Sequence, residues 1–158
     1  MGRSTVSGEE NLLKIVEADA RQEDGYRLQE QVGFILRKAN QRHLAIFSAR
    51  ISDLTPPQFA VLAKLHEVGE TSQNQLGNLV AMDAATAKGV VDRLKARGLV
   101  RLDKHDADRR RLMVDLTEEG RATLERLVPF AREISAETLS PLTAKEAAAL
   151  VRLLSKIA

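Results

Sequence analysis

Apolar side chains recur every three to four positions through most of the chain, the spacing of one face of an α-helix. The spacing becomes regular over about residues 27–50, which predicts a long amphipathic helix. Its apolar positions are Leu28, Val32, Ile35, Ala39, Ile46 and Phe47. Residues 1–25 carry one short apolar patch among glycine, serine and charged residues, so we predict a flexible N-terminal arm there; a short helix that docks on a partner is the alternative.

Capping signals predict two helices after the first one. Thr55 and Gln58 form a capping box around two prolines, so a helix begins there. Gly69 is placed to end that helix, because glycine adopts the left-handed conformation that closes helices. Ser72 and Gln75 repeat the capping-box spacing before a very short helix.

A further helix is predicted from about Ala84 to Arg97, capped by Asp83 and closed by Gly98. Its apolar residues lie on one face and predict the buried side of the helix. They are Ala87, Val90, Val91 and Leu94. Two short helices separated by a tight turn are typical of a helix-turn-helix.

The period of the pattern then changes from helical to alternating. Apolar and polar residues alternate over residues 100–103 and again over 112–116, with a charged segment between them, which predicts a two-stranded hairpin. In the second stretch Leu112, Val114 and Leu116 alternate with Met113 and Asp115.

Two helices are predicted after the hairpin. Thr117 caps a long helix that extends to about Thr138 and is expected to bend at Pro129. Thr143 and Glu146 form another capping box before a final helix that is apolar over most of its circumference. A second subunit is expected to cover this helix; the alternative is packing within the same monomer.

These elements predict a mostly α fold in one domain over residues 26–158. A winged helix-turn-helix with a small two-stranded wing occupies residues 55–116. The N- and C-terminal helices, over residues 26–50 and 117–158, form a helical dimerisation region. The low aromatic content of 3% fits aliphatic helix packing.

Charge is distributed unevenly along the 158 residues. The formal net charge is +2, but residues 88–111 contain nine basic and four acidic side chains, a local net charge of +5, while the rest of the chain is at −3. A basic segment on a slightly acidic chain fits a localised phosphate-binding surface. An ordinary solvated charged face is the alternative.

Several classes of function receive no support. The chain has no cysteine, which excludes disulfides and thiolate metal sites, and it lacks a membrane-length apolar run and a signal peptide, so we expect a cytoplasmic protein. No enzymatic motif is found, and no cofactor is predicted. His43, His66 and His105 lack metal-ligand spacing, although a metal-responsive regulator stays open as an alternative.

Three segments carry a family resemblance. They are Leu54 to Phe59, Val91 to Val100, and the run from Asp106 to Gly120. Their residues and order resemble the MarR family of bacterial transcription factors, and the likeness extends over roughly residues 27–158. It implies a homodimeric regulator of a pseudo-palindromic double-stranded DNA operator. A nucleoid-architectural protein is the alternative.

The resemblance implies that the wing enters the minor groove. Arg109 and Arg110 match the wing-tip arginines, and Asp108 would orient Arg110 by a charge-assisted hydrogen bond. Arginine suits a narrow, negatively charged minor groove. The alternative is that these arginines pair with acidic neighbours on the surface.

The outer face of the Asp83-capped helix is expected to enter the major groove. The candidate residues on this face are Ala85, Thr86, Lys88, Gly89 and Arg93. Thr86 can hydrogen-bond a base or touch a thymine methyl group, and Lys88 and Arg93 can reach guanine or phosphate. Gly89 permits close approach of the backbone, or is a tolerated surface glycine. Ser72, Gln73 and Gln75 are expected to contact phosphate.

Residues 30–37 and 82–86 are similar to a subgroup that regulates aromatic-acid catabolism, including hydroxynicotinate- and coumaroyl-CoA-responsive members. This similarity implies a repressor released by a small aromatic carboxylate or its thioester. His43, Phe47, Arg50 and Phe59 are the candidate ligand-binding residues. The alternative is that the two phenylalanines are core, His43 is a satisfied interface histidine and Arg50 a surface charge.

Overall fold

The computed structural model describes residues 25–104 and 112–158. After a short 3-10 helix, Leu28–Glu30, six α-helices and three β-strands follow in this part of the chain. They are α1 (Val32–Arg50), α2 (Pro56–Val68), β1 (Thr71–Ser72), α3 (Gln73–Leu79), α4 (Ala84–Ala96), β2 (Val100–Lys104), β3 (Leu112–Leu116), α5 (Glu118–Leu139) and α6 (Ala144–Leu154). The mostly helical fold class is confirmed.

The chain divides into two compact units between Ala39 and Asn40, within α1. The described part of the first unit contains the 3-10 helix and the beginning of α1. The second unit contains the remaining helices and the sheet. No helix in the part of the chain that the structure describes is long and apolar enough to cross a membrane.

The predicted caps define the helix ends. Thr55 and Gln58 complete a capping box at α2, which ends at Gly69 with a φ of 75°. Asp83 caps α4 by accepting a hydrogen bond from the Thr86 amide, and Gly98 follows that helix with a φ of 72°. Positive φ suits glycine because it has no Cβ to clash with the backbone. The positions at which these helices begin and end are therefore determined by residues close to them in the sequence.

The sheet has three strands rather than the two predicted. The order is β1-β3-β2, with both pairs antiparallel, and Thr71 pairs with Val114. Ser72 has the extended φ of −69° and ψ of 148° that an N-cap residue requires, and its side chain accepts a hydrogen bond from the Gln75 amide. The same extended backbone can pair with β3, so capping α3 also creates the extra strand.

Asp115 is buried, whereas strict alternation placed it on the polar side of β3. Its carboxylate contacts the Arg101 guanidinium at 2.7 Å and that of Arg121 at 3.6 Å, and it accepts a hydrogen bond from the Leu116 amide at 2.8 Å. A buried carboxylate is tolerated when such partners compensate for the hydration it gives up. The two arginines lie on other elements, Arg101 on β2 and Arg121 on α5, so strand periodicity alone misplaced the residue.

One hydrophobic core joins α2, α4, β3 and α5. Val61, Leu62, Leu65, Val91, Leu94 and Val114 are fully buried in it. The stripe predicted for α4 is confirmed, since Ala87, Val90, Val91 and Leu94 are its buried residues. Packing this stripe against the core leaves the opposite face of α4 to solvent.

Helix α6 contributes no residue to that core. Its apolar side chains are exposed instead, with Val151 at 53% and Leu153 at 51% of their full accessible surface. Within the part of the chain that the structure describes, the apolar surface of α6 is therefore left exposed. Several exposed apolar side chains on one helix are typical of an interaction site.

Gly120 is needed where the first turn of α5 crosses the turn after α4. A Cβ at residue 120 would overlap the backbone carbonyl oxygen of Leu99. We expect Gly120→Ala to lower the free energy of unfolding by about 3 kcal/mol, because rigid backbone must move to relieve the overlap. Chemical denaturation measures this decrease.

Gly33→Ala is the matched control for that substitution. Gly33 lies in α1, where an added Cβ has no neighbour within 4 Å. We expect this variant to stay within about 0.5 kcal/mol of wild-type stability, as exposed substitutions ordinarily do. Wild-type stability of Gly120→Ala would contradict the close packing of α5 on the turn.

Candidate nucleic-acid interface and effector cavity

The solvent face of α4 carries the residues predicted to read DNA. Ala85, Thr86, Lys88 and Arg93 are exposed, and Gly89 is half-buried. Four hydrophobic residues on the opposite face fix the rotation of the helix. The fold therefore presents polar and cationic side chains together on one exposed helical face.

Thr86 has a defined hydrogen-bonding polarity. Its hydroxyl donates to Asp83 Oδ2 at 2.7 Å, while its amide donates to Asp83 Oδ1 at 2.8 Å. The Thr86 amide and hydroxyl together hold the pKa of Asp83 below its usual value, which keeps that carboxylate ionised and accepting at neutral pH. The single hydroxyl hydrogen of Thr86 is thus committed, and its oxygen faces solvent as an acceptor beside a methyl group.

The two cations of this face differ in their partners. Lys88 Nζ contacts Asp92 Oδ2 at 2.6 Å, one helical turn away. Arg93 forms no ion pair with any residue that the structure describes. A Cβ built on Gly89 would lie 3.7 Å from Arg93 Nη1, so the guanidinium lies beside the space that glycine leaves open.

The start of α3 offers fewer free groups than the sequence suggested. Ser72 is buried, and its hydroxyl oxygen caps the helix by accepting from the Gln75 amide at 3.3 Å. Gln73 is half-buried and Gln75 is exposed. A phosphate contact by Ser72 stays a prediction, and Gln75 is the more accessible candidate.

The wing strands are described, but the predicted wing tip is not. Asp108, Arg109 and Arg110 lie outside the described residues. In β2, exposed Arg101 contacts Asp115 and also lies 3.6 Å from Asp103. The roles assigned to the three tip residues stay predictions.

A cavity of about 250 Å³ lies between α1, α2 and α5. It contains three of the four predicted ligand residues, His43, Phe47 and Phe59. The two phenylalanine rings meet edge to face, with centroids 6.1 Å apart and planes at 73°. The remaining lining residues are Pro56, Ala60, Ala131, Ile134 and Ser135.

Those further lining residues were not identified from sequence. Ala131, Ile134 and Ser135 lie on consecutive turns of α5, and their small or apolar side chains carry no chemical signature. Pro56 signalled only a helix start. One usable signal was present in the sequence. Residues three and four positions apart on a helix share a face, so these three residues of α5 could be expected to pack together against a neighbouring helix.

Arg50 is not among the residues that line this cavity. Its guanidinium contacts Glu133 at 2.6 Å and Glu137 at 2.7 Å. The hydrogen bond to Glu137 and the nearby negative charges raise the pKa of Arg50, which keeps it charged. Arg50, which was expected to bind the acid group of a ligand, is thus already paired with two carboxylates of α5.

A second cavity, of about 320 Å³, borders the connection between α1 and α2. Its lining includes Ser52, Asp53 and Thr55 but no aromatic ring. As for metals, residues 25–104 and 112–158 hold no group of three or more histidine, cysteine or acidic side chains suited to an ion. His105 lies outside the described residues.

Comparison with known proteins identifies related regulators. The MarR family profile matches residues 54–112. The transcriptional repressor NicR of Pseudomonas putida is 46% identical over 134 residues, which cover 84% of this chain and 85% of NicR. A probable transcriptional regulator from Pseudomonas aeruginosa has a TM-score of 0.81 and 50% identity, covering 84% of this chain and 100% of that chain.

A third match is the solved structure of BpsR from Bordetella bronchiseptica, whose DNA binding is regulated by 6-hydroxynicotinic acid. It has a TM-score of 0.81 and 45% identity, and covers 84% of this chain and 96% of that chain. The fold, the exposed α4 face and these matches define a winged helix-turn-helix transcriptional regulator that binds DNA. The chain belongs to the MarR family.

The family resemblance found in the sequence is thereby confirmed. The similarity to NicR and BpsR is consistent with the subgroup linked to aromatic acids. The matched relatives are transcription regulators and not enzymes.

Proposed function

We propose that this protein is a homodimeric repressor of an aromatic-compound catabolic operon, released from its operator by a small aromatic carboxylate or its thioester. It acts in the cytoplasm, where bacterial DNA is located. The observation that carries the effector assignment is the cavity in which His43 meets the edge-to-face pair Phe47 and Phe59. The similarity to BpsR supports the same class of ligand.

The DNA-binding surface consists of the exposed face of α4, the start of α3 and the wing. Thr86, Lys88 and Arg93 contact base edges or phosphate, with Gly89 allowing close approach of the backbone. Gln73 and Gln75, with the Ser72 backbone region, contact phosphate at the edge of the groove. Arg109 and Arg110 enter the minor groove, and Asp108 orients Arg110.

Thr86 reads a base through its acceptor oxygen. Since its hydrogen is donated to Asp83, it suits the amino group of adenine or cytosine, and its methyl group suits that of thymine. Selection from random DNA is expected to return a pseudo-palindrome with half-sites about 10 bp apart, or a multiple of one turn. A pool without a preferred palindrome would instead indicate a nucleoid-architectural protein.

Repeating the selection with Thr86→Val tests the acceptor role directly. Valine retains the shape and a methyl group but removes the oxygen, so preference at one position of each half-site is expected to fall by about 1–3 kcal/mol. Thr86→Ser, which retains the hydroxyl, is the matched control. An unchanged preference in the valine variant would assign the contact to the methyl group alone.

The effector cavity suits a single aromatic ring with one acidic substituent. Its volume of about 250 Å³ is smaller than drug-sized sites of about 300–1,000 Å³, and apolar side chains dominate its lining. Phe47 and Phe59 provide ring contacts, and His43 and Ser135 provide hydrogen bonds. A CoA thioester would place only its acyl group here. A ligand role for Arg50 would require its contacts with Glu133 and Glu137 to break.

A short series of contacts connects this cavity with α4. Pro56 lines the cavity and follows the loop that contains Asp53. The Asp53 carbonyl oxygen accepts a hydrogen bond from Arg97, the residue at the C-terminal end of α4. Arg126 of α5 also lies 3.5 Å from the Asp53 carboxylate. A ligand that moves α2 or α5 would thus displace contacts that hold the recognition helix.

The effector must bind one conformation more tightly than the other. Shifting an equilibrium from 1:99 to 99:1 requires a difference of about 5.5 kcal/mol in binding free energy. Hydroxylated benzoates, cinnamates, nicotinates and their CoA thioesters, tested by thermal shift, form the appropriate panel. Binding by none of them would refute the aromatic-effector proposal but leave DNA binding intact.

A further inference from the structure

We propose that Thr138 fixes the orientation and tautomer of His43, so that the cavity binds an aromatic carboxylate together with one proton taken from solvent. This inference rests on the proposed effector function of the cavity. It adds a positioning residue that does not line the cavity, and it specifies the chemistry by which an acid is distinguished from a neutral analogue.

The hydrogen bonds around Thr138 have one consistent direction. Its hydroxyl oxygen lies 2.8 Å from the Ile134 carbonyl oxygen and 3.0 Å from His43 Nδ1. A carbonyl oxygen only accepts, so the single hydroxyl hydrogen is donated to Ile134. The Thr138 oxygen must then accept a hydrogen bond from His43, which places a hydrogen on Nδ1.

This direction determines what His43 offers through its other nitrogen. In the neutral ring with hydrogen on Nδ1, Nε2 carries a lone pair and can only accept. In the protonated ring both nitrogens donate. A carboxylate offers acceptors only, so its oxygen is repelled by neutral Nε2 and attracted by the charged ring. Binding of an acid anion therefore requires the ring to be protonated.

The other residues that line the cavity beside His43 carry no charge. The residues that face it across the cavity are Pro56, Phe59 and Ala60 from α2 and Ala131, Ile134 and Ser135 from α5, none of which is ionisable. Two charged side chains of α5, Glu133 and Glu137, contact Arg50. On α1, Arg42 donates to the Glu137 carbonyl oxygen at 2.9 Å.

The apolar lining strengthens the requirement for a proton. Burying an unpaired carboxylate among phenylalanine, alanine and isoleucine side chains is unfavourable, whereas burying it beside an imidazolium ion leaves a neutral pair. A carboxamide of the same ring carries an amino group that can donate to neutral Nε2. The neutral analogue should therefore bind without taking up a proton.

Isothermal titration in two buffers of different ionisation enthalpy tests this proposal on the full-length protein. The probes are 6-hydroxynicotinic acid and the corresponding carboxamide. We expect uptake of about one proton with the acid and none with the carboxamide. Acid affinity should fall as the pH rises, because deprotonation removes the charged ring, and carboxamide affinity should not fall.

Thr138→Val and Thr138→Ser separate positioning from a structural role. Valine removes the acceptor for Nδ1, which frees the neutral ring to place its hydrogen on Nε2 and donate to the acid. Proton uptake should then fall well below one, with acid affinity at low pH reduced about tenfold or more. Serine retains the oxygen and should restore both properties. Wild-type DNA binding by each variant confirms that it is folded.

The outcomes are distinguishable. Acid binding without proton uptake in the wild type, or an unchanged uptake in Thr138→Val, would overturn this inference and leave the effector cavity in place. If 6-hydroxynicotinic acid does not bind, the panel acid with the largest thermal shift replaces it as the probe. Failure of every acid of the panel to bind at any pH would refute the proposed effector site itself, and this inference with it.

Discussion

Leu153→Glu in α6 is expected to raise the dissociation constant of the proposed homodimer at least about a hundredfold. The monomer should stay folded. Leu153 is 51% exposed in the single chain, and α6 has no buried residue, so the monomer loses little packing. In a symmetric dimer the substitution occurs on both subunits. It would bury unpaired carboxylates, each costing several kcal/mol, and 1.4 kcal/mol corresponds to a tenfold change.

Sedimentation equilibrium measures the dissociation constant, and circular dichroism confirms the helical content. Lys145→Glu is the matched control, because it adds the same carboxylate to an exposed polar position at the start of α6. The control should remain a dimer. A wild-type dissociation constant for Leu153→Glu would exclude α6 from the interface.

Arg110→Ala and Arg109→Ala are each expected to weaken DNA binding about a hundredfold on every sequence. Each substitution removes two groove contacts per dimer, and a hydrogen bond to a charged group contributes about 1.5–3 kcal/mol. Removing cationic side chains from the groove also lowers counterion release. The slope of log affinity against log salt should therefore become shallower by about 1 for each phosphate charge that the variant no longer neutralises.

Lys145→Ala removes one positive charge from α6 and controls for the change in net charge. It should leave both affinity and salt slope close to wild type. The wing assignment would be wrong if the arginine variants bound operator normally at physiological salt. Weaker binding confined to one operator sequence would indicate base readout rather than groove charge.

Features encoded by neighbouring residues could be predicted from the sequence. Capping at Thr55, Asp83 and Thr143 requires only groups three residues apart, and each of these caps is formed. The buried stripe of α4 follows from helical periodicity because one face meets the core. That stripe also fixed which side chains of α4 face solvent.

Features that depend on distant contacts could not be predicted. Asp115 is buried because arginines from β2 and α5 reach it, and Arg50 is held by carboxylates more than eighty residues away. Thr138 gave no signal of its connection to His43, which is 95 positions away. Pairing across helices depends on their packing, and local patterns do not specify it.

The most direct test of the central claim is whether the effector still releases the operator from a variant whose cavity is filled by a larger side chain. Ala131 lines the cavity, so Ala131→Leu should occupy the space for the ring while retaining the DNA-binding surface. Ala122→Leu, at an exposed position of the same helix, is the control. In fluorescence-anisotropy titrations with the acid that gives the largest thermal shift, wild type and Ala122→Leu should release the selected operator. Ala131→Leu should bind that operator with wild-type affinity and fail to release it. Release from Ala131→Leu at the wild-type effector concentration would contradict the account.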